Sequence, residues 1–99
     1  MYVAATVTLT DSAQGIKSLV EAAIGASLPQ DRCSEVLLQV AGDSTGVVSV
    51  GDANLSGSRR ACQLLPYDSR QYRGIVDVKW LYALSSSSGD KLNVELVAA

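Results

Sequence analysis

Histidine and phenylalanine are both missing from the 99 residues. The first absence removes the commonest general base and a principal zinc ligand together. The second leaves the core to aliphatic side chains, because aromatic residues make up only 5% of the chain. Two cysteines, Cys33 and Cys62, are too few for a zinc site of their own or for a multi-bridge disulfide scaffold. No phosphate-binding or dinucleotide-binding glycine pattern occurs. No apolar run approaches the ~20 residues that span a bilayer. The first ten residues lack the basic and apolar regions of a signal peptide. These absences disfavour a hydrolase, a metalloenzyme and a secreted mini-protein. They lead us to expect cytoplasmic synthesis with reduced thiols, with a Cys33–Cys62 bridge able to form should the protein leave the cell.

What is present is apolar: 47% of the chain, against 18% charged, with 12 Val and 12 Leu. A disordered chain would be poor in such residues, so one folded domain over residues 1–99 is expected. The net charge of −2 is unevenly spread. Ser56–Gly74 holds Arg59, Arg60, Arg70 and Arg73 against the single acid Asp68, a local charge of +3 that leaves −5 elsewhere. A basic patch on an acidic body suits an acidic protein surface. Four arginines on a net-acidic chain release few counterions, so nucleic acid is not an expected partner, and neither is a membrane.

Hydrophobic periodicity organises the chain. Val3, Ala5, Val7 and Leu9 alternate with polar or small residues, the period of a half-buried strand. Ile16, Leu19, Val20, Ala23, Ile24 and Leu28 then recur at three and four, the spacing of one helical face. Ser18 and Glu21 fit a capping box, and Pro29 forbids continuation, so a short helix is expected near residues 18–27, roughly Leu19 to Ala26. Alternation returns at Val36, Leu38 and Val40 and again at Val47–Gly51. The polar loop Gly42–Gly46 between them predicts an antiparallel hairpin. Ala61–Leu65 reads as a short strand stopped by Pro66, Ser69–Arg73 as an exposed edge strand, and Val76–Lys79 as either strand or single helical turn. Trp80–Leu84 and Leu92–Leu96 predict a closing hairpin around the serine tract, with Trp80 or Tyr82, or both, in the core. Seven to eight strands result. The fold class is mainly β: a single-domain antiparallel β-sandwich, jelly-roll-like, with one short helix.

Chemistry is scarce. Without histidine a Ser–Lys or Cys–Asp arrangement would have to serve, and Lys17, Lys79 and Lys91 all read as exposed. Asp11, Asp31, Asp43, Asp52 and Asp90 sit in turns, where Asp satisfies local backbone donors. Fragments such as Asp52–Asn54 supply too few oxygens for calcium. No catalytic residue, metal ligand or cofactor is therefore assigned, and a non-enzyme is expected. The aromatics carry more. Tyr67 and Tyr72 flank arginines, the composition of a protein–protein hot spot, which gives Arg59, Arg60, Tyr67, Arg70, Tyr72 and Arg73 as the candidate partner surface. Tyr67, Tyr72 and Trp80 also admit a carbohydrate-binding platform.

Four stretches in order carry a resemblance: Cys33–Gln39, Gly46–Ser56 (GVVSVGDANLS), Leu64–Ser69 (LLPYDS), and Trp80–Leu84 with Gly89–Val94. Together they resemble small virion proteins of tailed bacteriophages. The theme of those proteins is a strand ending V-x-V-G-D-x-N, a P-G-D-S-like turn and a closing L-Y-A … G-D-x-V-x-V hairpin. The similarity covers about residues 33 to 97 and departs at Pro66-Tyr67-Asp68, where Pro-Gly belongs. It implies a capsid decoration or cement subunit in the virion, with a tail or head-fibre adaptor as the alternative. The implied partner is the major capsid protein or another virion protein, met by a symmetric homo-oligomer such as a trimer.

Overall fold

The structure, a computed structural model, describes residues 1–99. In chain order it holds β1 (Tyr2–Thr8), β2 (Gln14–Gly15), α1 (Ile16–Ile24), β3 (Arg32–Val40), β4 (Val48–Gly51) and β5 (Cys62–Leu64). Then follow β6 (Ser69–Asp77), a 3-10 turn (Val78–Trp80), β7 (Tyr82–Ser85) and β8 (Lys91–Ala98). One sheet has the order β1-β8-β3-β6 and the other β2-β7-β4-β5. The pairs are nested: β1 with β8, β2 with β7, β3 with β6, and β4 with β5, all antiparallel. Such a nest is one long ribbon of paired strands, folded so that successive pairs fall in opposite sheets. This is jelly-roll connectivity. The pairs β3–β8 and β4–β7 stitch the ribbon to itself.

The sandwich expected from the alternation is therefore present, but its two expected hairpins are not. β3 and β4 lie in opposite sheets, and so do β7 and β8. A strand that buries one face shows the same alternation whether its sequence neighbour lies beside it or across the core. A short polar loop serves either arrangement. Only β4 and β5 are consecutive strands paired in one sheet, across the long loop 52–61.

The core is aliphatic, as the composition requires. Val36, Leu38 and Val40 of β3 are fully buried against Leu92, Val94 and Leu96 of β8. Cys33 is also buried, although it stands three residues before Val36 and a strict period of two would turn it outward. A register shift between Cys33 and Glu35 resets the phase. From Glu35 to Cys33, β3 takes two steps while β8 takes one and β6 takes three. The extra β6 residue falls by Gly74, whose φ of +92° is open to glycine and costly for other residues. Both cysteines are free thiols, and burial pushes the Cys33 thiol above its ordinary value.

The helix starts earlier than its capping pattern suggests. Gly15, not Ser18, is the N-cap, and no side chain bonds to the first turn. The sheet does this work instead: Gly15 pairs with Tyr82, and the Ile16 N–H donates to the Leu81 carbonyl at 2.9 Å. Glu21 serves the opposite end, where its carboxylate accepts the Leu28 N–H at 2.7 Å. Gly25 closes the helix in the left-handed region at φ +70°, and the Gly25 and Ala26 N–H groups share the Glu21 carbonyl. Trp80 needs a second correction. It ends the 3-10 turn rather than entering β7, and it is 65% exposed. Tyr82 is half-buried, while Ala83, Leu84 and Ser85 fill the strand's buried positions.

One end of the sandwich is tied by Asp90. Its buried carboxylate accepts from the Ser85 hydroxyl (2.7 Å) and from the N–H groups of Thr45 (3.0 Å) and Gly46 (2.9 Å). Burial works against the charge, yet these donors outweigh it and hold the carboxyl below its ordinary value. At the helix, Asp31 takes Lys17 at 2.7 Å and Lys79 at 3.5 Å, joining α1, the approach to β3 and the 3-10 turn.

Candidate functional site

The strand edges of a sandwich differ in what they offer a partner. β2 and β5, the edges of one sheet, are two and three residues long. β1 has α1 packed beside it. β6 is different: it runs nine residues, borders β3 on one side and has no strand on the other. An edge of this kind is a template for pairing unless something blunts it.

The backbone phase of that edge follows from its first hydrogen bonds. The Val40 N–H donates to the Asp68 carbonyl at 3.0 Å, and the Val40 carbonyl accepts from Tyr67 at 3.0 Å. In an antiparallel ladder every second residue turns its N–H and C=O to the neighbour. Counting on from Asp68, Arg70 and Tyr72 face β3, whereas Ser69, Gln71 and Arg73 present theirs to the open side. No backbone hydrogen bond within the chain reaches those outward groups.

Side chains alternate with the same phase. Arg70 and Tyr72 stand opposite Leu38 and Val36, hence on the core side, and the Arg70 guanidinium lies 4.8 Å from the centre of the Tyr72 ring. Beside them a groove of about 480 Å³ opens between the sheets, lined by Trp80, Leu81, Cys62 and Asp52 as well as Arg70 and Tyr72. Gln71 and Arg73 are on the outer face, where Arg73 donates to the Gln71 side chain at 3.2 Å and Gln71 to Glu35. Arg59 binds Asp52 at 3.2 Å on the groove rim. Arg60 donates to the Gly57 carbonyl at 2.7 Å in loop 52–61. Arg60, Arg70 and Arg73 form no ion pair with a carboxylate.

The structure thus brings Arg70, Tyr72 and, through Asp52, Arg59 to one groove. It sets Arg73 on the other face of the same strand and Arg60 apart in its loop. Tyr67 stands at the turn into β6. That turn runs Leu65-Pro66-Tyr67-Asp68, closed by the Asp68 N–H on the Leu65 carbonyl at 2.9 Å. Tyr67 occupies its third position at φ +70°, the place glycine favours in a type II turn. It is the one non-glycine residue with positive φ, and it is 74% exposed.

Periodicity did not reveal the apolar members of this surface. Leu65, Tyr67, Ile75 and Trp80 are exposed large apolar side chains between residues 65 and 80, and only Met1, Tyr2 and Ile24 join them elsewhere. Ile75 escapes a pattern of two because the Gly74 irregularity breaks it. Leu65 and Trp80 lie just beyond strand ends, where the alternation no longer applies.

No protein-family model matches the chain, and neither a curated protein nor a solved structure does.

Proposed function

We propose that this chain is a non-enzymatic structural subunit of a bacteriophage virion, a capsid decoration or cement protein that seats its β6 edge on the head shell. The observation that carries the proposal is the uncovered edge, with unpaired Arg70 and Arg73 along it and Leu65, Tyr67, Ile75 and Trp80 exposed around it. Arginine with tyrosine and tryptophan is the composition that dominates binding energy at interfaces. The strained Tyr67 adds support, because a backbone cost tolerated in an exposed ring points to use of that ring. The virion itself is suggested by the resemblance over residues 33–97. A jelly roll agrees with it, being a fold of capsid and lectin domains alike.

Mechanically, such a subunit performs no reaction. It docks as a rigid body, so it loses little ordering entropy, and many copies reinforce one another across a symmetric shell. The proposed partner is an acidic surface of the major capsid protein or another virion protein, engaged by a homo-oligomer such as a trimer. A tail or head-fibre adaptor would use the same edge on a different partner.

The test adds purified protein to shells that lack it and reads occupancy by electron cryo-microscopy. Arg70→Gln with Arg73→Gln is expected to abolish occupancy while shifting the thermal midpoint little, since neither puts a carboxylate opposite Glu35. Full occupancy of the double variant overturns the proposal. One observation favours a second reading, a carbohydrate-binding module: Tyr72 and Trp80 share the groove. A glycan array on the isolated protein separates the two, since that module would lose its glycan on Trp80→Ala.

A further inference from the structure

The open edge also specifies the form of its partner. Resting on the reading of β6 as the docking edge, we infer that the partner contributes an extended segment of alternating acidic and apolar residues, added as a fifth strand to the sheet beside β6. Three features of the strand converge on this occupant.

The first is backbone chemistry. Ser69, Gln71 and Arg73 point N–H and C=O outward with no partner in the chain, the spacing that an incoming strand pairs with. The second is the contrast between the two faces. Side chains of an added strand that fall on the core side meet the groove, whose walls carry Tyr72, Trp80 and Leu81 to take apolar groups and Arg70 and Asp52 beside them. Those on the other side stand beside Gln71 and Arg73. The third is charge. Arg73 forms no ion pair, because the Glu35 opposite it accepts from Gln71 instead, and the flanking stretch Ser56–Gly74 carries +3. An acidic residue at every second position complements it.

A second copy of this chain is a poor occupant of the same edge. Two β6 strands side by side would gather Arg70 and Arg73 of both copies along one seam, and like charges across a strand pair repel. The Gly74 irregularity limits the added strand to the regular part of β6 before it, so a short segment suffices.

The experiment is calorimetry of the full chain with the acetylated, amidated peptide Val-Glu-Val-Glu-Val-Glu-Val. Binding is expected, weakening as salt rises. Methylating alternate peptide nitrogens on the pairing side is expected to cost at least about tenfold in affinity, because it removes the main-chain hydrogen bonds that hold an added strand. Gln71→Pro removes an outward N–H at an edge position where proline is tolerated, and it should lose binding with the thermal midpoint kept. No binding, equal binding of the methylated peptide, or full binding by a folded Gln71→Pro overturns the inference. So does self-association that Gln71→Pro abolishes, which would make a second copy the occupant. So too does capture of a neutral oligosaccharide such as maltopentaose with none of the peptide. Failure here with Arg70 and Arg73 still needed for shell occupancy leaves the docking role standing. Peptide binding without shell occupancy does the reverse.

Discussion

Tyr67 and Gly42 are coupled across one end of the sandwich. The Tyr67 ring lies over the Gly42 α-carbon so closely that a methyl group at residue 42 would overlap it. The contact joins the β3–β4 loop to the turn before β6, and it involves the one side-chain-bearing residue held in the left-handed region. A side chain there costs about 1–2 kcal/mol relative to ordinary backbone. Tyr67→Gly is therefore expected to stabilise the fold by up to about 1 kcal/mol, reduced by the lost ring contact. Urea unfolding measures the gain, while shell or peptide binding measures what the ring supplies. Gly42→Ala should move only the far end of a flexible ring, so its ring-proton shifts change and the fold does not.

Gly46 and Gly57 make a matched pair. A Cβ on Gly46 would sit 2.7 Å from the Ser87 backbone nitrogen and 2.6 Å from the Ser86 hydroxyl. Gly57 has nothing within 4 Å. Gly46→Ala is expected to cost about 1–3 kcal/mol through overpacking against backbone that cannot turn aside. Gly57→Ala should be neutral or slightly stabilising. Equal midpoints for the two would show that loops 41–47 and 86–90 are not packed as described.

Asp90 gives the protein an acid limit. Its folded carboxyl lies below the ordinary value of 3.8. Stability from this group is complete above that value and is lost as pH falls through the folded one. Asp31, drawn down by its hydrogen bond to Lys17, acts in the same window with the same sign. Asp90→Asn is expected to cost about 2–3 kcal/mol at neutral pH, since one acceptor becomes a donor facing the Gly46 N–H or the Ser85 hydroxyl. It should also flatten the acid limb of the stability curve. An unchanged limb would assign acid lability elsewhere.

Trp80 tests the correction to the core. Burial of the ring would make Trp80→Ala cost about 3–5 kcal/mol. At 65% exposure it should shift the midpoint little and act on partner binding. By contrast Leu38→Ala, at a fully buried site, should cost about 2–5 kcal/mol.

The two thiols should differ. Cys33 is fully buried, with its thiolate disfavoured, whereas Cys62 lines the groove beside Tyr72 and Trp80. A thiol reagent on the native protein is expected to modify Cys62 and to reach Cys33 only after unfolding. Mass spectrometry of the digested adduct identifies the site.

Much of the architecture was written in local pattern. The alternation at Val36, Leu38 and Val40, and at Leu92, Val94 and Leu96, named both strands and their buried faces, because a side-chain period of two depends on the backbone alone. The absence of histidine and the clustering of arginine before Gly74 were equally plain in the chain. The one helix was also legible, though Ser18 and Glu21 misplaced its start, since the true first turn is fixed by a carbonyl of Leu81 rather than by its own side chains.

Which strands pair was a different matter, and only the tertiary structure decided it. β3 carries the same alternation whether Val48 follows it in its own sheet or across the core, so the nested jelly-roll order emerges only when all eight strands close together. The same closure shelters β1 with α1 and turns Trp80 outward, and it leaves β6 at the edge that the alternation of Ser69–Arg73 led us to expect. Local preferences act within a few residues, whereas pairing is a relation among strands dozens of residues apart. The amino acids therefore determined which faces are buried, and the assembled sandwich determined which strands lie side by side.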